Sequence, residues 1–398
     1  MPSDWSAEID FLAKKLGMGA ASAVRAIRDA LDDDPFEILA YRGFGSSVRA
    51  HVYGRVVERV GVTQSTDKDS VLTNLLNTYR RAESDPVRRA NIVVNFGDSA
   101  TAMTTDGEGY FGGWITSEAA RETSEWHDYE ATLDLPSPAD PVKGKGEILV
   151  PARSARFGII SDIDDTVIQS RVSNFIQAAR TVMLGNARTR LPFPGVAAFY
   201  RALRDGESGD EKNPFFYVSS SPWNIYDVIS EFMELQNVPK GPLMLRDWDL
   251  SLGSLSSSRH FDHKGVAIRN VMQLYPDMEF ILIGDTSQHD PQIYSRIVDE
   301  FPQRVKAIYI RDVTLDPIRS ASVRKLAEQI LQAKSALVLA EDSIGAAKHA
   351  AEHGWIAGDK LADIAEDKRA DEGRDDSKAA SPGGGHEGSG TPPVVVEK

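Results

Sequence analysis

Between Arg156 and Ile310 five short apolar runs alternate with segments of helical character, and this alternation leaves the chain few folds to adopt. The runs are Phe157 to Ile160, Phe215 to Val218, Leu243 to Leu245, Phe280 to Ile283 and Ala307 to Ile310. Each is continuously apolar, as a strand covered on both faces must be. Between them lie helical stretches at Pro194 to Arg204, Trp223 to Leu235, Gly265 to Leu274 and Pro291 to Glu300. The pattern predicts a parallel sheet with helices on both faces. Ligands of such sheets bind outside the carboxyl ends of the strands, so the residues that follow each run are where chemistry is sought.

The first run ends at Asp162, with Asp164 two residues on, the second at Ser219, and the fourth at Gly284-Asp285. Residues i and i+2 of a strand share one side, so a chain turning after Asp162 aims Asp162 and Asp164 into the same space. One carboxylate can attack phosphorus while the other handles protons, and the resulting aspartyl-phosphate splits one difficult displacement into two easier ones. Lys264, in His260-Phe-Asp-His263-Lys264, opens the helix before the Asp285 strand and offers positive charge to a transferring phosphoryl group. Its competitors are Lys240 and Arg269, and those of Ser219 are Ser220 and Ser221. Asp290 reads equally well as a second metal or lysine-orienting carboxylate and as the N-cap of the helix starting at Pro291. An isolated Asp-x-Asp is more often a turn or a helix cap, and it is the ordered company that favours function here. Other hydrolytic chemistries lack their motifs: there is no Gly-x-Ser-x-Gly elbow and no Walker lysine loop, and the pair His349 and His353 lies beyond the other motifs.

Two carboxylates, a hydroxyl, a lysine and a third carboxylate in this order resemble the haloacid dehalogenase superfamily of phosphatases. The wording of Asp162-Ile-Asp-Asp-Thr166, Tyr217-Val-Ser-Ser-Ser-Pro-Trp223 and Ile283-Gly-Asp-Thr-Ser-Gln-His-Asp290-Pro-Gln-Ile-Tyr294 is similar to the catalytic domain of the actin-patch-type phosphatidate phosphatases, relatives of lipin. The resemblance covers roughly Glu147 to Ile330, with a weaker echo in Tyr41-Arg-Gly-Phe-Gly45 and Val52-Tyr-Gly-Arg-Val56. It implies that Asp162 is the nucleophile, that Asp164 serves as general acid and then base, that Ser219 binds a phosphoryl oxygen, and that Lys264 neutralises charge. It further implies a Mg2+ held by Asp162, Asp285 and the backbone carbonyl of Asp164, with Asp290 as a further candidate. The chemistry asks for such an ion independently, because a carboxylate approaching a phosphate is repelled until a cation bridges both. Thr166, Ser220 and Arg180 are candidates for contacting the substrate. The implied fold is α/β, a Rossmann-like parallel sheet of the haloacid dehalogenase type preceded by a small β-sandwich domain.

The 398 residues exceed one ordinary domain of ~100 to 200 residues. Ser6 to Leu31 has helical spacing, so residues 1–34 are expected as an N-terminal helix. Residues 35–146 carry alternating runs such as Val48 to Val56, Asn91 to Phe96 and Tyr129 to Leu135, a β-sandwich, with a helical insertion over Gln64 to Ser84. Pro136 to Lys145 has linker composition, the phosphatase domain is expected over 147–335, a terminal helix over 336–355, and a disordered tail over 356–398. Val394 to Val396 reads as a docking peptide or a solvated end.

With no cysteine, any metal must be held by oxygen or imidazole, and a cytoplasmic setting is expected, peripheral to the membrane if the substrate is a lipid. A net charge of -14 argues against coating nucleic acid. Asn174 to Arg190 combines Phe175, Ile176, Val182, Met183 and Leu184 with Arg180, Arg188 and Arg190, which suits both a lipid surface and a cap helix packed over the site. The expected reaction is therefore hydrolysis of a phosphomonoester, with phosphatidate to diacylglycerol leading. A phosphatase of soluble phosphomonoesters and a non-catalytic module binding lipid phosphates are the alternatives.

Overall fold

The computed structural model describes residues 36–58, 85–116, 124–134, 141–163, 194–246, 262–286, 290–311, 323, 326–327, 336–340, 342–376 and 394–396. The chain divides into two compact units, Met1–Val150 and Pro151–Lys398. The first contains β1 (Phe36–Ala40), β2 (Gly43–Gly45), β3 (Arg49–Glu58), β4 (Asn91–Phe96), β5 (Ser99–Thr104), β6 (Tyr110–Thr116), β7 (Trp126–Leu133) and β8 (Lys143–Leu149). They form one sheet in the order β1-β3-β2-β8-β7-β4-β5, with β6 also pairing β3. Every pairing is antiparallel except β2 with β8.

Period-two patterning builds this sheet: along β4 Ile92, Val94 and Phe96 are buried while Asn91, Val93 and Asn95 are half-buried. The buried set includes Val52, Val56, Phe111, Tyr129, Leu133 and Ile148. Tyr129 shows how sequence fixes register. Its hydroxyl lies 2.7 Å from the Tyr41 carbonyl oxygen and 2.8 Å from that of Tyr53. Its cross-strand partner is Gly146, where a Cβ would stand 2.3 Å from the Tyr129 ring. Only glycine lets the ring lie flat across the neighbouring strand.

The second unit begins with β9 (Gly158–Asp162) and continues with α1 (Val196–Asp205), β10 (Phe215–Pro222), a 3-10 turn (Trp223–Ile225), α2 (Tyr226–Leu235), β11 (Leu243–Arg246) and α3 (Asp262–Leu274). It is completed by β12 (Phe280–Asp285), α4 (Asp290–Glu300), β13 (Val305–Arg311), β14 (Ala336–Ala340), α5 (Ser343–Glu352), α6 (Lys360–Asp376) and β15 (Val394–Val396). All five apolar runs are strands. The sheet order is β11-β10-β9-β12-β13-β14-β15, parallel from β11 to β14, with β15 antiparallel. Every residue of β9 and of β12 is buried, as strands covered on both faces require. From β9 the chain steps outward through β10 and β11, then returns to the other side of β9 with β12. Such a reversal of strand order opens a crevice at the carboxyl ends, here between β9 and β12.

Three expectations are corrected. The expected boundary at 146/147 falls inside β8, whose Lys143 to Leu149 alternate towards and away from the core and pair with β7, so Lys143 to Lys145 is strand rather than linker. Of the terminal helix expected over 336–355, Ser343–Glu352 is helical, whereas Ala336–Ala340 is a strand in register with β13, Ala307 opposite Ala336 and Arg311 opposite Ala340. Five apolar residues fit either element locally, and the open edge of β13 decides. The expected tail from 356 contains α6, tied down by buried Ile364 and by Lys368 Nζ at 2.5 Å from Asp342 Oδ2, and β15, which pairs Val394–Val396 with Leu339–Leu337. The N-terminal helix, the insertion over Gln64 to Ser84, residues 135–140 and the segment Asn174 to Arg190 lie outside the described residues. No helix among the described residues is long and apolar enough to cross a membrane.

Candidate active site

The apolar run of β9 carries Ser161 and Asp162 to the carboxyl edge of the sheet with no exposure of either. Strand register then sets the neighbours. Val218 on β10 is level with Asp162, which puts Ser219 one residue further out, and Ile283 on β12 is level with Ser161, which puts Asp285 two residues beyond that level. Lys264, the third residue of α3, brings Nζ to 2.7 Å from Asp162 Oδ1 and 2.9 Å from Asp290 Oδ1. Asp290 opens α4 and is fully buried, and its other oxygen accepts the Asp285 amide at 3.3 Å. Asp290 is thus the first residue of α4 and its side chain faces Lys264.

Asp162, Asp285 and Asp290 each offer one oxygen, and these atoms lie within 4.8 Å of one another. Among the described residues this cluster sets three buried carboxylates against one buried ammonium, which touches two of them, so negative charge is in excess where water cannot screen it. A divalent cation that prefers oxygen ligands would offset that charge, and an all-carboxylate donor set is of the hard kind such ions select. The residues present fit a metal of this class. Gly284 keeps the cluster compact, because a Cβ there would stand 2.5 Å from Asp290 Oδ2 and 2.9 Å from the Tyr294 hydroxyl.

Ser219 is buried and its hydroxyl accepts the Ser221 amide at 2.9 Å, while Ser220 is half-buried. Asp164, Thr166, Arg180 and His289 lie outside the described residues. His263, beside Lys264, is held below the usual histidine range by burial, against which the carbonyls of Met244 and Leu245 act.

Three buried hydroxyls beneath the cluster were not singled out from sequence. Ser161 Oγ donates to the Asp162 carbonyl at 2.8 Å and lies 2.7 Å from the Tyr200 hydroxyl. Tyr294 donates to the Ile283 carbonyl at 2.7 Å. Burial pushes both phenols up, and the carboxylates of Asp290, Asp162 and Asp285 raise Tyr294 further. Both therefore act as fixed neutral donors. Tyr294 was within reach of sequence reasoning, since it stands four residues after Asp290 and shares its helix face. Tyr200 was not, because its link to Ser161 exists only once α1 packs on β9.

Comparison with known proteins agrees with the motif reading. Residues 157–312 match the family model described as the catalytic domain of phosphatidate phosphatase APP1, and Asp162, Ser219, Lys264, Asp285 and Asp290 all fall within that span. Phosphatidate phosphatase APP1 of Saccharomyces cerevisiae is 31% identical over 156 residues, 39% of this chain and 26% of the yeast protein. An uncharacterized protein of Schizosaccharomyces pombe is 31% identical over 165 residues, 40% of this chain and 26% of that protein. The chain thus spans about a quarter of the length of the curated relatives it matches. Among solved structures, a β-glucuronidase of Parabacteroides merdae aligns at a TM-score of 0.22 and 7% identity, covering 74% of this chain and 38% of that one, too low to carry an argument.

Proposed function

We propose that this chain is a Mg2+-dependent phosphatase that hydrolyses phosphatidate to diacylglycerol through an aspartyl-phosphate. The observation that carries the reading is the cluster at the β9 and β12 ends, three buried carboxylates about one buried lysine, inside the segment that matches a phosphatidate phosphatase catalytic domain. Asp162 attacks phosphorus and the bond from phosphorus to the lipid alkoxide breaks. Asp164 protonates that alkoxide, then deprotonates the water that attacks the phosphoenzyme, releasing phosphate and Asp162. Lys264 holds Asp162 Oδ1 in position and offsets negative charge, and Asp290 holds Lys264. Ser219 binds a phosphoryl oxygen, while Thr166, Ser220 and Arg180 contact the substrate. Mg2+ held by Asp162, Asp285 and Asp290, with the carbonyl of Asp164, would lower the repulsion between carboxylate and phosphate.

In this reading the second unit is a haloacid dehalogenase-type Rossmann-like domain and the first a β-sandwich. The setting is cytoplasmic, with peripheral contact to a membrane that presents the lipid, and nucleic acid has no part. A phosphatase of soluble phosphomonoesters would use the same residues. The test is phosphate release from phosphatidate liposomes and from p-nitrophenyl phosphate, with and without Mg2+, for the native chain and Asp162→Asn. The amide keeps the shape and is a poor nucleophile, so turnover should fall by at least about 10^3-fold with folding intact. Full activity in Asp162→Asn would remove the nucleophile assignment, and release from the soluble ester alone would remove the lipid.

A further inference from the structure

Within β9 the residues from Gly158 to Ile160 are apolar, and Ser161 is a buried hydroxyl set directly before Asp162. A buried hydroxyl that finds its partners adds little net stability, so an apolar side chain would serve the fold there about as well. What the hydroxyl holds is therefore informative.

Peptide groups along β9 turn alternately to its two neighbours. The Gly158 amide donates at 2.9 Å to the carbonyl of Glu279, next to β12, and the Ile159 amide donates at 2.8 Å to that of Pro214, next to β10. The peptide joining Asp162 to Ile163 stands at the end of this ladder and is held from both sides. Its N–H, on Ile163, donates to the Val218 carbonyl of β10 at 3.2 Å. Its carbonyl, on Asp162, accepts Ser161 Oγ at 2.8 Å. That bond uses the single proton of the serine hydroxyl, so the Tyr200 hydroxyl, 2.7 Å away, is the donor to Ser161 Oγ. Tyr200 is itself buried, with its ring 5.2 Å from that of Phe215 on β10. A directed chain of donors thus runs from α1 through Ser161 to the backbone of Asp162.

We propose that Ser161 and Tyr200 are positioning residues that fix the peptide plane of the nucleophile. The proposal rests on the phosphatase reading above and deepens it. Both hydroxyls act through Asp162. If this peptide rotated, the Asp162 carboxylate would leave its place 2.7 Å from Lys264 Nζ, and the chain leading on to Asp164 would be redirected. Attack on phosphorus tolerates little of that, since a misplacement of ~1 Å costs about 10^2-fold in rate. The groups proposed to bind the phosphoryl oxygens are untouched, so the loss falls on kcat and not on KM.

The experiment uses the full chain with Mg2+, on p-nitrophenyl phosphate and on phosphatidate liposomes, and measures kcat and KM for the native protein, Ser161→Ala, Tyr200→Phe and the double variant. Ser161→Ala should lower kcat by about 10- to 100-fold, and Tyr200→Phe, which keeps the ring, by about tenfold, with KM within about twofold. The double variant should be no slower than Ser161→Ala alone, because Tyr200 works through Ser161. A role confined to packing would lower the urea midpoint and leave the kcat of the folded protein unchanged. Near-ultraviolet circular dichroism checks folding. If one single variant does not fold, the kcat and KM of the other decide, and if neither folds the hydroxyls are structural and the proposal is overturned. Native kcat in both single variants overturns it, as does a rise in KM with kcat kept, and losses that multiply in the double variant overturn the chain from Tyr200 through Ser161. In each of these cases the phosphatase reading stands, whereas no turnover of either ester by the native protein overturns that reading and the positioning role with it.

Discussion

The two units bury polar groups in opposite ways. In the antiparallel sheet they come singly and mostly matched: Thr105 donates to the Val87 carbonyl at 2.8 Å and accepts the Ala90 amide at 2.7 Å, and Arg55 Nε donates to the Glu108 carbonyl at 3.0 Å. In the parallel sheet three carboxylates of one sign are gathered around one lysine, with Asp162, Asp285 and Asp290 wholly buried and Lys264 4% exposed. Matched single groups complete a fold at little net cost. Gathered like charges lower stability, and such clusters concentrate at functional sites. The contrast separates a unit whose buried polar groups read as structure from one whose buried polar groups read as a site.

Removing the cation from the cluster should break this contrast most severely. Lys264→Met keeps the side-chain bulk but leaves Asp162 and Asp290 facing each other without their shared ammonium. A loss of about 3–5 kcal/mol in urea denaturation is expected, partly recovered when Mg2+ is added. An unchanged midpoint without metal would mean that the carboxylates are not charged together.

His51 tests the other unit. Its Nδ1 is buried without a hydrogen-bond partner among the described residues, and the ring sits among Tyr53, Trp114 and Phe44 at centroid distances of 4.3, 4.8 and 5.7 Å. Burial holds its pKa at about 4, from an ordinary 6.5. The unfolded chain therefore takes up the proton first as pH falls. Stability from this group is complete above about 6.5, is lost progressively as pH drops to about 4, and amounts to about 3 kcal/mol at 1.4 kcal/mol per pH unit. Denaturation of the native chain and His51→Phe across pH 7 to 4 checks this. The difference in stability between them should change by that amount, and a constant difference would remove His51 as the titrating group.

The smallest effect is expected at Tyr129. Tyr129→Phe keeps the ring over Gly146 and deletes the hydroxyl shared by the Tyr41 and Tyr53 carbonyls, at an expected cost of about 1–2 kcal/mol. A neutral result in urea denaturation would show that water replaces the hydroxyl without penalty.

Much of this was legible before any coordinates. Continuous apolar runs at Phe157 and Phe280 gave themselves away as buried strands, and Asp162 and Asp285 stood at their ends, because burial on both faces and attachment to a strand terminus are local properties of the chain. The edges of the sheet were less legible. Ala336–Ala340 and Val394–Val396 are strands because a neighbouring strand offers an open edge, and no local pattern records that.

The sequence by itself therefore determined the alternation that makes a parallel sheet and the residues that close its strands. Only the tertiary structure decided that Lys264 bridges Asp162 and Asp290 and that Tyr200 stands under Ser161. Lys264 and Asp290 are 26 residues apart, and Ser161 and Tyr200 are 39 apart. Contacts at such separations follow from strand order and helix packing, which the periodicity of a segment does not encode.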